Sequence, residues 1–127
     1  MKKLETREDI EFLVNRFYEE VAKDEKIGFF FEDVAKVDWS HHLPKMYDFW
    51  ETLLLGKVSY KGNPMAMHFP INRKVAMQKF HFDQWIKLWT KTIKENFSGE
   101  MADLAIYKAT NIANLMAYKM ETAKKLE

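Results

Sequence analysis

The sequence predicts an all-α protein, and three observations support this prediction. The chain has 127 residues but only four glycines and three prolines, which leaves little material for β-hairpins. No segment alternates apolar and polar residues for long, whereas apolar residues recur three and four positions apart in several stretches. Because hydrophobic residues make up 47% of the chain and its composition shows no break, we expect one domain over residues 1–127 with one core.

The first helix is expected to begin at a capping box, Thr6-Arg7-Glu8-Asp9. In a capping box, a hydroxyl and a carboxylate three residues apart accept hydrogen bonds from backbone N–H groups that have no partner within the helix. The apolar stripe that follows predicts an inward-facing tyrosine, Tyr18; its members are Ile10, Leu13, Val14, Phe17, Tyr18 and Val21. After the helix ends near Gly28, the three phenylalanines from Phe29 to Phe31 predict a corner packed against something flat.

The second helix is expected to run from Trp39 to Leu55 and to stop at Gly56. Either Asp38 or Ser40 can cap it, and Ser40 is favoured because a proline, here Pro44, is tolerated best near the first turn. One face of this helix presents a histidine together with three apolar side chains: His42, Met46, Phe49 and Trp50.

Residues 57–71 form the least regular stretch. Within it, Asn63 and Pro64 suit the cap and first turn of a short helix that ends around His68. Asn72 can cap a longer helix whose apolar residues are Val75, Met77, Phe80, Phe82, Trp85, Leu88, Trp89 and Ile93. A lone loop histidine is more often a surface residue than a ligand, so the role of His68 depends on its surroundings.

The last helix is expected to follow the break at Asn96-Phe97-Ser98-Gly99, with Ser98 as its cap. Its apolar stripe contains Met101, Leu104, Ala105, Ile112, Leu115, Met116 and Met120. The polar tail from Glu121 to Glu127 is expected to fray. The prediction is therefore four substantial helices with one loop-rich connection.

Composition excludes several classes of function. With 20 basic and 19 acidic residues, the chain shows no overall charge excess of the kind that binds nucleic acid or an anionic membrane. The lack of cysteine excludes disulfides and thiolate chemistry, and the lack of a long apolar run predicts no membrane span. We therefore expect a soluble, cytoplasmic protein. The common hydrolase, phosphate-binding and zinc-protease motifs are also missing.

Several motifs, spread over nearly the whole chain, carry a resemblance to a known family. They are Phe17-Tyr18, the corner from Ile27-Gly28 to Phe31, the run from His42 to Gly56, Tyr60-Lys61-Gly62-Asn63-Pro64-Met65 leading to His68, and His81-Phe82 ahead of Trp85-Ile86-Lys87-Leu88-Trp89. In this order and spacing they resemble truncated haemoglobins of the third group. Those proteins are small globins whose helices pack two over two around haem b.

The resemblance implies a role for each candidate site residue. His68 would be the proximal iron ligand, on a short, loosely helical segment. Tyr18 and Trp85 would donate hydrogen bonds to a ligand on the distal side, where His42 would bond the ligand or gate its entry. Phe31 would pack on the porphyrin face. The other residues expected to contact haem are Met46, Phe49, Trp50 and Phe82, with Lys45 and Arg73 near the propionates.

The resemblance also implies a function, namely binding of dioxygen, nitric oxide and carbon monoxide at a five-coordinate iron. Two distal donors would slow oxygen release, which favours redox chemistry over bulk transport. One alternative is an enzyme, a haem-dependent peroxidase or nitric oxide dioxygenase supplied with electrons by a reductase. The other is a helical module without haem that uses its aromatic core to bind a partner protein or lipid.

Overall fold

The computed structural model describes residues 1–126, and helices make up most of this part of the chain. The helices are α1 (Arg7–Lys23), α2 (Trp39–Leu55), α3 (Pro64–Lys74), α4 (Lys79–Asn96) and α5 (Glu100–Lys125). Two short parallel strands, β1 (Lys2–Lys3) and β2 (Phe97–Ser98), join the N-terminus to the turn before α5. The all-α prediction is confirmed, although it did not include this pair of strands.

The four long helices form two packed pairs. α1 lies against α2 and α4, and α4 lies against α5, while the shorter α3 contacts α5 and the turn that follows α1. Most buried side chains form one cluster between these helices, and a smaller cluster lies between α3, α4 and α5. This is the two-over-two arrangement that the sequence predicts. None of the helices within residues 1–126 is long and apolar enough to cross a membrane.

Helix α1 begins where the sequence predicts. The Thr6 hydroxyl accepts a hydrogen bond from the Asp9 backbone N–H at 3.2 Å, and the Asp9 carboxylate accepts one from the Thr6 N–H at 3.0 Å. The predicted stripe is buried along its whole length, and Tyr18 is only 8% exposed. After α1, the phenylalanine corner forms a short π-helical turn, Phe30–Val34, which the sequence pattern did not specify.

The cap of α2 differs from the prediction. Asp38 caps the helix by accepting from the Ser40 N–H at 3.0 Å, so Ser40 lies inside the first turn. Pro44 consequently lies in the second turn of α2 on an exposed side. A proline there removes a single hydrogen bond, and water can reach the carbonyl that loses its partner. The distance of a proline from the first turn is therefore a weak argument for deciding which residue caps a helix.

Gly56 ends α2 in the left-handed conformation, with φ of +70°, and no atom lies within 4 Å of the position a Cβ would occupy. Because no contact opposes an added methyl group, Gly56→Ala is expected to cost only backbone strain, about 1 kcal/mol of unfolding free energy. Chemical denaturation measures this cost. Gly56→Asn is the control, since asparagine tolerates this conformation better, and a loss as large as that of alanine would contradict the explanation.

Helix α3 extends beyond its predicted end at His68 and continues through Pro70 to Lys74. Asn72 is not the cap of the next helix. It is 1% exposed, and its amide donates to the Met120 carbonyl at 3.0 Å and accepts from the Met77 N–H at 2.8 Å. Asn72 thus ties α3 to α5 and to the connection that follows. This tertiary role outweighs its local tendency to cap a helix.

Helix α4 therefore begins later than predicted, at Lys79, and Val75 and Met77 lie in the connection before it. Gln78 is its N-cap, and the ring of His81 accepts a hydrogen bond from the Gln78 backbone N–H at 2.9 Å. His81 is 7% exposed and packs against the Phe30 ring at 4.8 Å. Phe80, which belonged to the predicted apolar face, is 51% exposed.

Helix α5 begins after Gly99, so the prediction that Ser98 caps it is wrong; Ser98 lies in β2. The helix continues to Lys125, so the described part of the polar tail is helical, and Glu127 lies outside the described residues. Its buried face is made of small and flexible residues, and Leu115 is 51% exposed. That face consists of Ala102, Ala105, Ala109, Ala113, Met116 and Met120. Alanines allow close approach, and the Trp89 indole donates to the Ala105 carbonyl at 3.2 Å.

Candidate functional site

Four aromatic rings from α1, α2 and the π-helical turn converge at one end of the main core. The rings of Tyr18 and His42 lie 5.1 Å apart between centroids and meet edge to face at 82°. Phe31 lies 5.7 Å from the Tyr18 ring and stacks on Trp39 at 5.6 Å and 17°. The structure therefore brings together three residues that the sequence predicted for one pocket, Tyr18, His42 and Phe31.

Trp39 is the fourth ring of this cluster, and the sequence interpretation did not single it out. Its ring lies 5.5 Å from that of Tyr18 and 5.6 Å from that of His42. A signal was present, because Trp39 is three residues before His42 and therefore lies on the same face of α2. At the first position of a helix, however, the direction of a side chain depends on where the cap falls, and the predicted cap was two residues late.

His42 carries a buried polar atom without a protein partner. Its Nε2 is the only buried side-chain nitrogen or oxygen within residues 1–126 that makes no hydrogen bond. A buried polar atom normally has a partner, and exceptions call for an explanation such as a ligand. Burial, together with the charges of His68 and Lys45, lowers the pKa of His42 to about 4. The ring is therefore neutral at pH 7.

The low pKa of His42 predicts how this histidine titrates. Because the unfolded chain binds the proton near pH 6.5, the folded state should lose stability as the pH falls from about 6.5 to about 4. Nuclear magnetic resonance of labelled histidine should show that the His42 ring stays neutral as the pH falls from about 6.5 and becomes protonated only near pH 4. Lys45→Gln should raise the midpoint slightly by removing one positive charge. A midpoint above pH 6 in the unmodified chain would contradict the buried, inward position of the ring.

Tyr18 presents a hydroxyl on the same side of the core. Burial raises the pKa of the Tyr18 phenol far above its ordinary value, so the O–H keeps its proton at physiological pH. Among the described residues the hydroxyl has no hydrogen-bond partner. A buried phenol usually finds one, so Tyr18, like His42, has a polar group available for a ligand.

Trp85 lies on α4 behind the ring cluster. It is half-buried, its ring contacts Phe17 at 5.8 Å, and it lies parallel to Trp89 at 6.3 Å. Phe17 in turn contacts Tyr18 at 4.9 Å, so a single ring separates Trp85 from the tyrosine. The indole N–H of Trp85 makes no hydrogen bond within the part of the chain that the structure describes.

His68 lies on α3, which Asn63 caps by accepting from the Ala66 N–H at 3.0 Å. The Nδ1 atom of His68 lies 2.5 Å from the Pro64 carbonyl oxygen. A carbonyl only accepts hydrogen bonds, so Nδ1 carries the proton and Nε2 keeps its lone pair. Burial lowers the pKa of His68, although its contact with the Pro64 carbonyl acts in the opposite direction. A neutral imidazole held through one nitrogen is the form that binds a metal with the other.

His68 and His42 act on one another electrostatically although they are far apart in the sequence. The charge of His68 is one of the causes that lower the pKa of His42, after burial. On the side of α3, the smaller core cluster provides an apolar wall. Its buried members are Phe82, Ala113, Met116 and Met120, and Met65, Phe69, Met77 and Trp85 pack against it. Phe82, predicted at the haem, lies in this wall.

The remaining predicted residues have different surroundings. Met46 and Phe49 are half-buried on the face of α2 that packs against the main core. Trp50 is 3% exposed and stacks on Trp89 at 4.5 Å, so its described ring contacts are with other side chains of the core. Lys45 and Arg73 are exposed. Lys45 is close enough for its charge to act on His42, whereas Arg73 lies in the last turn of α3.

The chemistry of these side chains fits haem. The candidate residues are a neutral imidazole with a free Nε2 on α3 and a neutral histidine beside a protonated phenol, and the side chains packed near them are aromatic and aliphatic. Within residues 1–126, no group of three or more His, Cys, Asp or Glu side chains is arranged to hold a metal ion. A metal that brings its own flat, apolar macrocycle needs only one such ligand from the protein. The residues present therefore fit a porphyrin better than a bare metal ion.

A two-over-two helical sandwich with a single proximal-type imidazole and a polar distal cluster defines a small globin. Comparisons with known proteins identify its family. The profile of the bacterial-like globin family matches residues 2–120, and this chain belongs to that family. Membership makes it a haem-binding globin of the truncated kind, since globins of this family bind haem and small gaseous ligands.

A protein sequence and a solved structure from Campylobacter jejuni are similar to this chain. The group 3 truncated hemoglobin ctb is 32% identical over 111 residues, which cover 85% of each chain. The crystal structure of a group III truncated hemoglobin superposes with a TM-score of 0.83 at 27% identity, covering 94% of this chain and 95% of the other. The predicted resemblance to the third group of truncated haemoglobins is thereby confirmed.

Proposed function

We propose that this protein binds haem b through His68 and binds dioxygen, nitric oxide or carbon monoxide on the side of Tyr18, His42 and Trp85. The observation that carries the proposal is the buried, unpartnered Nε2 of His42 beside the unpartnered hydroxyl of Tyr18. A buried polar nitrogen without a protein partner leaves its desolvation uncompensated unless a ligand joins it, and the Tyr18 hydroxyl provides a hydrogen-bonding group beside it. The name of the Campylobacter jejuni relative also supports the proposal.

When bound, haem supplies an iron that takes a diatomic ligand and exchanges single electrons. His68 would hold the iron through Nε2, while its Nδ1–H, bonded to the Pro64 carbonyl, fixes the orientation of the ring. Phe31 and the apolar side chains around Phe82 would contact the macrocycle and exclude water. Met46, Phe49 and Trp50 would extend or support the apolar surface on the α2 side, and Lys45 would provide a cation for the propionates. Arg73, also expected there, lies on the side of α3 that points away from His68 and is therefore not assigned to them.

The distal residues hold protons at defined atoms. Tyr18 keeps its phenolic proton because burial raises its pKa, so its O–H is available to donate a hydrogen bond to a ligand. The Trp85 indole can only donate, and it reinforces Tyr18 if the ligand lies between them. His42 is neutral at pH 7, and its Nε2, next to Tyr18, can accept the phenolic proton or donate its own, according to its tautomer. These groups favour retention of a ligand with negative charge on its outer atom.

Slow release of bound oxygen favours redox chemistry over bulk transport. The candidate reactions are nitric oxide dioxygenation and peroxide reduction. The test mixes nitric oxide with the ferrous, air-equilibrated haem protein in a stopped-flow instrument while a reductant is present. We expect consumption of many equivalents of nitric oxide per haem. Consumption that stops after one equivalent would contradict a catalytic role and leave a protein that binds or senses the gas.

A further inference from the structure

The charges of this chain are separated along the sequence, although their sum is close to zero. Residues 52–82 contain five basic residues and no acidic one, whereas the whole chain carries 19 acidic residues in 127, or roughly one in seven. This stretch includes α3 and both of its flanking connections. Net charge hides this separation, because the rest of the chain carries a compensating acidic excess. The basic stretch therefore forms a local patch that binding partners can distinguish.

Four of the five basic side chains are available to a partner. Lys79 forms an ion pair with Asp83 at 2.9 Å. Lys57, Lys61, Arg73 and Lys74 are exposed and form no ion pair within the part of the chain that the structure describes. Two of them precede α3 and two end it, so positive charge lies at both ends of this helix.

The surface between these charges is apolar. Five exposed residues at spacings of one, three, three and one lie on a single side of α3, which we call the α3 outer face: Ala66, Met67, Pro70, Arg73 and Lys74. Met67 on this face is 65% exposed, Val58 in the connection before α3 is 86% exposed, and Phe80 in the first turn of α4 is 51% exposed. An apolar centre with charges around it is the pattern of a protein-binding surface.

The helix dipole explains only part of this arrangement. Arg73 and Lys74 lie in the last turn of α3, where cations stabilise the C-terminal end of a helix. The dipole does not account for Lys57 and Lys61, which lie before the N-terminal end, where positive charge is unfavourable. It also does not account for the exposed methionine between the two pairs. A binding function explains all three features.

The α3 outer face lies on the opposite side of the helix from His68. An α-helix with its side chains is about 10–12 Å across, so a protein docked on this face is separated from the proximal ligand by roughly one helix thickness. Such a separation suits electron transfer. Complexes of electron-transfer proteins are small and weak, and complementary charges steer their formation.

We propose that the α3 outer face and its flanking lysines dock an acidic, one-electron carrier protein that reduces the haem. In this step the carrier loses one electron and the ferric haem gains it, and no bond forms or breaks. This docking proposal rests on the proposed haem function, and it specifies the class of protein that donates the electron. Nucleic acid fits less well, because four cations around an apolar centre offer few phosphate contacts.

The test uses the full haem-loaded chain and a small acidic probe, a plant-type [2Fe–2S] ferredoxin. Two quantities are measured: association with the oxidised ferredoxin by calorimetry, in which no reaction occurs, and the rate of haem reduction by the reduced ferredoxin. Both are expected to fall by about tenfold when the salt concentration rises from about 10 mM to about 200 mM. The charge-reversal variant Lys61→Glu/Lys74→Glu should lower both by about tenfold at low salt.

The matched control is Lys87→Glu/Lys94→Glu, which changes the net charge equally at exposed positions of α4. We expect it to stay within about twofold of the unmodified chain. Equal effects of the two double variants would overturn the proposal, because they would show a response to net charge alone. An unchanged rate in Lys61→Glu/Lys74→Glu would overturn it as well.

Two further outcomes would assign the face to another occupant. If Lys61→Glu/Lys74→Glu abolished binding to phosphatidylserine vesicles and left ferredoxin reduction unchanged, the face would be a membrane surface. If it lowered the haem content, the lysines would serve the propionates. Failure of the haem function itself is recognised separately, because the unmodified chain would then show no haem absorption band before any ferredoxin is added.

Discussion

Replacing His68 by glycine is expected to remove the axial bond between the protein and haem iron. The ferrous protein should lose the absorption and Raman features of a histidine-ligated iron, and haem affinity should fall by at least about a hundredfold. The physical reason is that no other imidazole lies on α3, and the side chains around Phe82 that could reach iron are methionine thioethers, which give a different ligation spectrum. Free imidazole at millimolar concentration should restore the spectrum, because glycine leaves space for it.

The control for this variant is His41→Gly. The side chain of His41 is 81% exposed and lies near Asp38, away from the ring cluster. Its removal should leave the spectrum and haem affinity unchanged. If His68→Gly kept the spectrum of the unmodified chain while retaining its helical content, the assignment of the proximal ligand would be wrong.

Replacing Tyr18 by phenylalanine should speed oxygen release by about ten- to a hundredfold. This range corresponds to the roughly 1–3 kcal/mol that one hydrogen bond contributes in a dry pocket. Stability should change little, because the hydroxyl has no partner within the described residues and the ring contacts with Phe17, Phe31 and His42 remain. Ligand release and protein stability can therefore be separated in a single variant.

The matched control is Tyr47→Phe. Tyr47 also loses a hydroxyl in this change, but that hydroxyl donates to the Asn15 side chain and serves the contact between α1 and α2. We expect a small loss of stability and no change in oxygen release. An oxygen dissociation rate for Tyr18→Phe within about twofold of the unmodified chain would contradict the distal role of the phenol.

The sequence predicted those features that depend on neighbours along the chain. The capping box at Thr6, the stripe that turns Tyr18 inward and the stop at Gly56 are all local patterns, and the structure contains them. His68 and His42 were placed at one site by resemblance to a family, not by spacing. The relative positions of α2 and α3 depend on tertiary packing, which no local pattern encodes.

The wrong predictions involve polar residues that tertiary contacts use differently. Asn72 and Ser98 have side chains suited to helix caps, yet Asn72 joins α3 to α5 and Ser98 pairs in β2. The local tendency of asparagine and serine to cap a helix is worth about 1 kcal/mol, which a pair of buried hydrogen bonds exceeds. Trp39 was missed for a related reason, because the position of the α2 cap decides which way its ring points.

The separation of charge around α3 shows why composition alone is a weak guide to partners. A formal net charge of +1 predicted no binding of nucleic acid or anionic membranes, but it does not describe how the charges are distributed along the chain. The acid-free stretch becomes informative only when the structure shows which of its lysines are exposed and unpaired. Charge patterning should therefore be read together with burial.

The most direct test of the central claim is a titration of the full-length protein with haem, followed by absorption spectroscopy. We predict a Soret band that saturates at one haem per chain, a histidine-ligated ferrous spectrum, and a shift on addition of carbon monoxide. His68→Gly should fail to give this ligated spectrum until imidazole is added. The absence of a saturable Soret band, or a band that is the same in the unmodified chain and in His68→Gly, would contradict the claim that His68 binds haem iron.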